Sequence, residues 1–256
     1  MSLRLDHLVI NSHFALDEVA QWFRALGFIL TPKGYHTLGS INHLIMFDDH
    51  YLELIGLPAG GEKMREELLA TPPGLDGLVF ASDDAEATEQ DLHAAGFSVQ
   101  PLRHFSREVV SGTARGEARF TTVRLAPDSF SAGRVYFCQH HTPEWVWRNE
   151  WLQPGAVRAL TVVARDVGAT RQRYARLGET DLLKVLSYDA WQAEYAALLP
   201  LADDRDSRFA ALRLAAQDLA AVSAAARQLD LPQASHNGQL RVAIPALSLV
   251  LEFDHA

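Results

Sequence analysis

The sequence predicts an α+β fold of repeated modules, in which curved, mainly antiparallel sheets carry helices on their outer side. Strict alternation of side chains opens the chain in "LRLDHLVIN", the mark of a strand with two distinct faces. A strand-then-helix pattern closed by glycine then recurs at "LDGLVFASDDAEATEQDLHAAGFSV", at "AVRALTVVARDVGATRQRYARLG" and, in part, at "RFAALRLAAQDLAAVSAAARQL". Four such starts in register indicate an internal repeat. Each unit alone exposes one sheet face, so pairing units into a cup is the natural way to bury it.

In the first strand the alternation sets Leu3, Leu5, His7 and Val9 on one face and Arg4, Asp6, Leu8 and Ile10 on the other. Val19, Trp22, Phe23 and Leu26 follow at helical spacing, and Gly27 stands at the expected C-terminal cap. A loop, "TPKGYHTLGSIN", leads to two strands, "HLIMF" and "YLELIGL", joined by a turn at Asp48-Asp49-His50. The first module thus reads strand, helix, short strand, loop, hairpin. "FTTVRL" and "GRVYFCQH" supply later strands of the second module, and "LRVAIP" and "LSLVLEF" those of the last. Residues 180–205 fit none of the units well. The expected division is a module pair over residues 1–141, a tryptophan-rich connector over 142–155 and a degenerate pair over 156–256. Trp145, Trp147 and Trp151 in the connector are expected to pack modules together.

Composition narrows the function. With 48% hydrophobic and 21% charged residues the chain is globular. The net charge of −9, without a cluster of Lys and Arg, argues against a nucleic-acid surface. No apolar run reaches the roughly 20 residues that span a bilayer. "MSLRLDHLVI" is interrupted by Arg4, Asp6 and His7 where a signal peptide needs an apolar core. A single cysteine, Cys138, excludes an internal disulfide, suits a reducing compartment and reads as a core thiol. The expectation is a cytoplasmic protein acting on a small molecule, as a monomer or a homodimer.

Glu53 is the residue that demands a function. It lies among Leu52, Leu54, Ile55 and Leu57, and a buried carboxylate must be protonated, paired or metal-bound. His7 on the first strand is directed into the same concavity. An imidazole and a carboxylate together suit a divalent transition metal such as zinc, manganese, nickel or iron, or else simply hydrogen-bond each other. Further donors near the mouth of this module are His36, Ser40 and Asn42, in a loop opened by Gly34 and Gly39. They read either as substrate contacts or as a structured turn. His43 is either a pocket donor or an edge histidine. Arg103, Arg107 and Arg115 lie near a loop and read either as contacts for an acidic substrate or, the favoured expectation, as solvated loop charges.

"LDHLVI", "GFILTPKGYHTLGSINHLIMF" and "YLELIG" resemble the glyoxalase-like members of the vicinal oxygen chelate superfamily, which also includes bleomycin-resistance proteins and dioxygenases. The matching residues are His7, Gly34, His36, Gly39, Asn42 and Glu53. The resemblance implies paired βαβββ modules forming a cup, catalytic and metal positions at His7 and Glu53, substrate contacts from His36, Gly39, Asn42 and His43, and metal-assisted lyase, isomerase or dioxygenase chemistry. It also exposes a departure. Gly77 and Ala159 stand where further ligand histidines belong, and Gln139 or His140, on opposite faces of one strand, is left to complete the metal set. A metal-free binding protein is the alternative.

Overall fold

A computed structural model describes residues 3–60, 65–202, 204–216 and 218–255 of the chain. The first module consists of β1 (Leu5–Asn11), α1 (Leu16–Ala25), β2 (Gly34–Tyr35), β3 (Ile41–Met46) and β4 (Tyr51–Gly56). After a short α2 (Glu66–Leu69), the second repeats it with β5 (Gly74–Ala81), α3 (Ala85–Ala94), β6 (Arg103–Ser111), β7 (Ala114–Arg124) and β8 (Arg134–His140). In both, the first and last strands pair in parallel, and the last three form an antiparallel meander. The modules join through β1 and β5 into one eight-stranded sheet, ordered β2-β3-β4-β1-β5-β8-β7-β6. Its edges nearly meet: His36 bridges Arg107, and the Thr37 amide donates to the Ser106 carbonyl at 3.0 Å. The result is a curved, almost closed cup.

The chain then forms β9 (Val157–Ala164), α4 (Val167–Ala175), β10 (Leu183–Ser187), α5 (Tyr188–Tyr195), β11 (Ser207–Ala216), α6 (Leu219–Gln228), β12 (Gln233–His236), β13 (Gln239–Ile244) and β14 (Leu249–His255). These strands make a second, six-stranded sheet, ordered β10-β9-β11-β14-β13-β12. Its last module is complete, whereas the third stops after one βαβ unit. Residues 180–205, the stretch that fits no repeat, supply β10 and α5. Tyr188, Trp191 and Tyr195 on α5 are buried against Val163, Ala211, Ala243 and Val250, so this helix fills the concavity of the second sheet. Among the described residues, the inner face of the first cup stays open.

Local chemistry explains the elements. On α1, Leu16, Val19, Ala20 and Phe23 form one buried stripe. Asp84, Asp166 and Asp218 each cap a helix by accepting the backbone N–H three residues on, a contact worth about 1 kcal/mol. One detail departs from strict alternation. Leu5 pairs with Phe80 but His7 with Val79, so Asp6 is an extra residue, a β-bulge. Asp76 is a second bulge, between the pairs Val9–Gly77 and Ile10–Leu75. The bulge turns Leu5 toward the outer core with Leu8 and Ile10, leaving His7 and Val9 inside; the predicted sharing of a face by Leu5 and His7 fails for this reason. The tryptophans pack with Tyr51 of the first module and Val109 and Phe120 of the second, and so join modules, on the inner side of the first cup. Gly116 makes room, since a Cβ there would lie 2.0 Å from the Trp145 ring.

Candidate active site

The inner face of the first cup encloses a cavity of about 470 Å³. His7 from β1, Asn42 from β3, Tyr51 and Glu53 from β4, Tyr136 from β8 and His36 from the turn after β2 all line it. Glu53 is 6% exposed and His7 4%, so the two groups are held out of bulk water.

Each reactive group is fixed on one side and free on the other. Asp6 Oδ1 lies 2.5 Å from His7 Nδ1, and the His7 ring stacks on Tyr51 with centroids 4.4 Å apart. This leaves His7 Nε2 facing the cavity, 3.7 Å from Glu53 Oε2 and 3.4 Å from the Tyr136 hydroxyl. Asn42 Nδ2 donates to Glu53 Oε1 at 2.7 Å, and His36 Nε2 stands 3.9 Å from the same oxygen. Glu53 Oε2 accepts no hydrogen bond from any described residue. Gly34 is needed beside this pair, because a Cβ there would meet Asn42 Oδ1 at 2.4 Å.

Electrostatics keeps these groups in defined states. Burial pushes the Glu53 carboxyl up, but His36, His7, the Asn42 hydrogen bond and Arg65 outweigh it, and the net shift is downward. Glu53 is therefore ionised at neutral pH. Burial lowers His36 to about 4, against the opposing pull of Glu53, so this imidazole is neutral. Tyr136 and Tyr51 are pushed far up by burial and remain protonated. Asp6 is held well below the carboxylate range because His140 and His7 overcome its burial.

The other predicted positions divide clearly. His140 faces inward, with Nε2 3.0 Å from Asp6 Oδ2, and so reaches the centre through Asp6 rather than through Glu53. Gln139 points outward and binds the start of α3 through the Asp83 carbonyl and the Ala85 amide. His43 lies on the outer face of β3, where its Nδ1 meets the Thr31 carbonyl at 2.7 Å. Gly39 closes the turn after β2 with a positive φ of 94°, its amide donating to the His36 carbonyl. Gly77 is packed against Val9, whose Cγ2 would lie 2.7 Å from a Cβ there. Among the described residues, the one trio of His, Cys, Asp or Glu donor atoms within 4.8 Å of one another is Asp6, Cys138 and His140. Its chemistry suits a metal poorly: Asp6 is engaged by two imidazoles, and burial raises the Cys138 thiol.

Arg107 departs from the expectation of a solvated loop charge, as does Arg103, which lies on the same strand and also lines the cavity. Arg107 lies on β6 inside the cavity and is 4% exposed, not in a solvated loop. The signal was its parity with Phe105 and Val109 in an alternating strand. Glu252 provides a contrast. It occupies the Glu53 position of the last module, and Arg241 Nε and the Tyr195 hydroxyl close on its Oε1 at 3.0 and 2.7 Å.

The glyoxalase-like domain matches residues 5–178 of the chain. The chain belongs to this family. The match spans the whole open cup. Comparison with functionally curated proteins gives no match. Among solved structures, a hypothetical protein from Staphylococcus aureus is 14% identical, with a TM-score of 0.69 over 99% of this chain and 100% of that one. A mutant 4-hydroxymandelate synthase from Streptomyces coelicolor is 10% identical, with a TM-score of 0.58 over 98% of this chain and 92% of its own. A fusion of a xylose isomerase-like TIM barrel with 4-hydroxyphenylpyruvate dioxygenase is 12% identical, with a TM-score of 0.59 over 98% of this chain and 48% of its own. At these identities the likeness is one of fold, and it extends the glyoxalase-like architecture to both sheets. Among the described residues, no helix is long and apolar enough to cross a membrane.

Proposed function

We propose that the chain is an enzyme of the vicinal oxygen chelate type that moves a proton on a small molecule held in the first cup, with His7 Nε2 and Glu53 Oε2 at its centre and His36 as the group that takes the proton. The observation that carries this reading is the free oxygen of Glu53. The carboxylate is buried and ionised, with Oε2 facing a cavity and no arginine or lysine among the described residues paired with it, whereas the equivalent Glu252 is paired with Arg241 through Oε1. Buried charges left open in this way are costly and mark functional sites.

The donor set fits a divalent ion at two corners. Asp6 on His7 Nδ1 is the orienting carboxylate such ligands need, and 3.7 Å is a separation that two ligands of one ion can share. His7 and Glu53 would hold zinc, manganese, nickel or iron, which when bound polarises adjacent substrate oxygens. The residues supply the rest. The neutral His36 accepts a proton at Nε2, and Glu53 stabilises the imidazolium that forms. Tyr136, kept protonated, offers its hydroxyl to a developing oxyanion. With Gly77 in place of a second imidazole on β5, and His140 Nε2 on β8 engaged by Asp6, the strands do not present a free two-histidine, one-carboxylate face of the oxygenase kind. Lyase or isomerase chemistry is therefore favoured over dioxygenase chemistry.

The test is solvent exchange. Protein supplied with each of the four ions is incubated in D₂O with small 2-oxo and 2-hydroxy acids, and exchange at the adjacent carbon is followed by NMR. The expected result is exchange that falls by about a hundredfold or more in Glu53→Gln. No exchange with any ion, together with no ion uptake, contradicts the proposal and leaves a metal-free small-molecule binding protein.

A further inference from the structure

The cavity wall holds six arginines, Arg65, Arg103, Arg107, Arg124, Arg134 and Arg205, against two glutamates, Glu53 and Glu67. Most of these cations are accounted for. Arg134 pairs with Asp76 at 2.6 Å, Arg65 and Arg103 share Glu67 at 3.0 and 3.4 Å, and Arg205 donates to the Ser131 carbonyl. Two are not. The guanidinium of Arg107 makes no hydrogen bond or ion pair with any described residue, and its Nη2 is fully buried. Arg124 likewise has no partner among the described residues, and its Nε is buried. A guanidinium presents five donors and cannot shed its charge near neutral pH, so burying one unpaired is unfavourable.

The two arginines sit at different depths. Arg107 pairs with Ala118 across β6 and β7, and Arg124 is six residues further along β7, roughly 20 Å away at the backbone. Arg107 stands beside the His7–Glu53 pair. It bridges His36 through the backbone, and the fields of Tyr51 and Glu53 act on its charge. Arg124 also lines the cavity, where burial, with the like charge of Arg103 nearby, lowers it to about 10. Phe105, Phe120, Leu44 and Ile55 line the space between with apolar surface.

We propose that the substrate of this site is a small acid with an apolar body, whose oxyanion, a carboxylate or a phosphate, is received by Arg107 while Arg103 and Arg124 draw it into the cavity. The assignment rests on the reading that the His7–Glu53 cup is the reactive centre, and names the substrate class for it. Arg107 supplies a charge-assisted, fork-shaped contact close to Glu53, which aligns the group next to the acid with His36 and Tyr136. The outer pair supplies a positive field that raises the on-rate and weakens with salt.

Equilibrium binding tests this without turnover. Benzoate, phenyl phosphate and benzamide, which share one apolar ring, are titrated calorimetrically into the full chain. The expected result is saturable binding of one or both acids, at least tenfold tighter than benzamide. The tighter of the two identifies carboxylate or phosphate. Arg107→Gln, checked for folding by circular dichroism, weakens acid binding at least tenfold, and Arg124→Gln weakens it less but flattens its salt dependence. Benzamide binding as tightly as the acids, no saturation by any probe at about 10 mM, or unchanged acid binding in folded Arg107→Gln overturns the proposal. The wild-type acid-to-amide comparison stands even if the variant fails to fold. Acid binding without proton exchange would remove the enzymatic reading and keep this one; exchange on neutral substrates without acid preference would do the reverse.

Discussion

Asp6 Oδ1 lies 2.5 Å from Nδ1 of His7, its own chain neighbour, a contact that a regular strand does not allow. Consecutive side chains of a strand point to opposite faces. The bulge at Asp6 brings both inward, and His140 then approaches the same carboxylate at 3.0 Å. A buried anion between two imidazoles thus fixes the ring whose other nitrogen faces Glu53. Asp6→Asn removes that charge while keeping its shape. The expected outcome is a loss of about 2–4 kcal/mol of stability by urea denaturation and a 10–100-fold weaker response to divalent ions in a thermal-shift titration. Unchanged metal response would show that Asp6 does not orient His7.

Two glutamates at equivalent places should answer differently to the same change. Glu252→Gln breaks a buried pair with Arg241 and is expected to cost about 3 kcal/mol. Glu53→Gln keeps a partner for Asn42, faces the cavity, and is expected to change stability by less than about 1 kcal/mol. Paired denaturation curves check this. Equal losses would mean that Glu53 serves the fold rather than the site.

The pH dependence of stability follows from His36. Its ordinary value is 6.5, and burial pushes it down to about 4. Above 6.5 the imidazole is neutral whether the chain is folded or not, so no penalty arises. Between 6.5 and 4 the unfolded chain binds a proton that the folded cavity refuses. Stability therefore falls as pH falls through that window, by up to about 1.4 kcal/mol per pH unit. Below about 3.8 a further loss sets in, because the depressed Asp6 contributes stability only while it stays ionised and the unfolded chain protonates first. Urea denaturation at a series of pH values measures both, and His36→Asn should flatten the first slope.

Gly34→Ala tests the packing behind Glu53. The new methyl would lie 2.4 Å from Asn42 Oδ1, so the amide must move and release Glu53 Oε1. The expected cost is about 1–3 kcal/mol, accompanied by loss of proton exchange. Gly34→Ala combined with Asn42→Ala should recover much of the stability but not the exchange.

Much of this was legible in the sequence because it rests on periodicity. Alternation placed His7 and Glu53 on inner faces, and the four strand-helix starts gave the repeated modules. Features that depend on a break in period were not legible. The bulge at Asp6 leaves no mark in "LDHLVI", and the structure alone turns Asp6 inward and Leu5 outward. Arg107 was hidden by residue type: a charged residue within "HFSREVV" reads as solvated unless its parity with Phe105 and Val109 is weighed. The spacing of Tyr188, Trp191 and Tyr195 carried a helical stripe, but nothing in it revealed that the stripe fills the second concavity. Choosing between Gln139 and His140 required the strand's face, which a one-residue shift reverses.

The most direct test of the central claim is anomalous diffraction from crystals soaked in turn with zinc and manganese, recorded at each metal's absorption edge. The expected result is a single strong peak within bonding distance of His7 Nε2 and Glu53 Oε2. A peak at Asp6, Cys138 and His140 instead, or none near Glu53 with either ion, would contradict it.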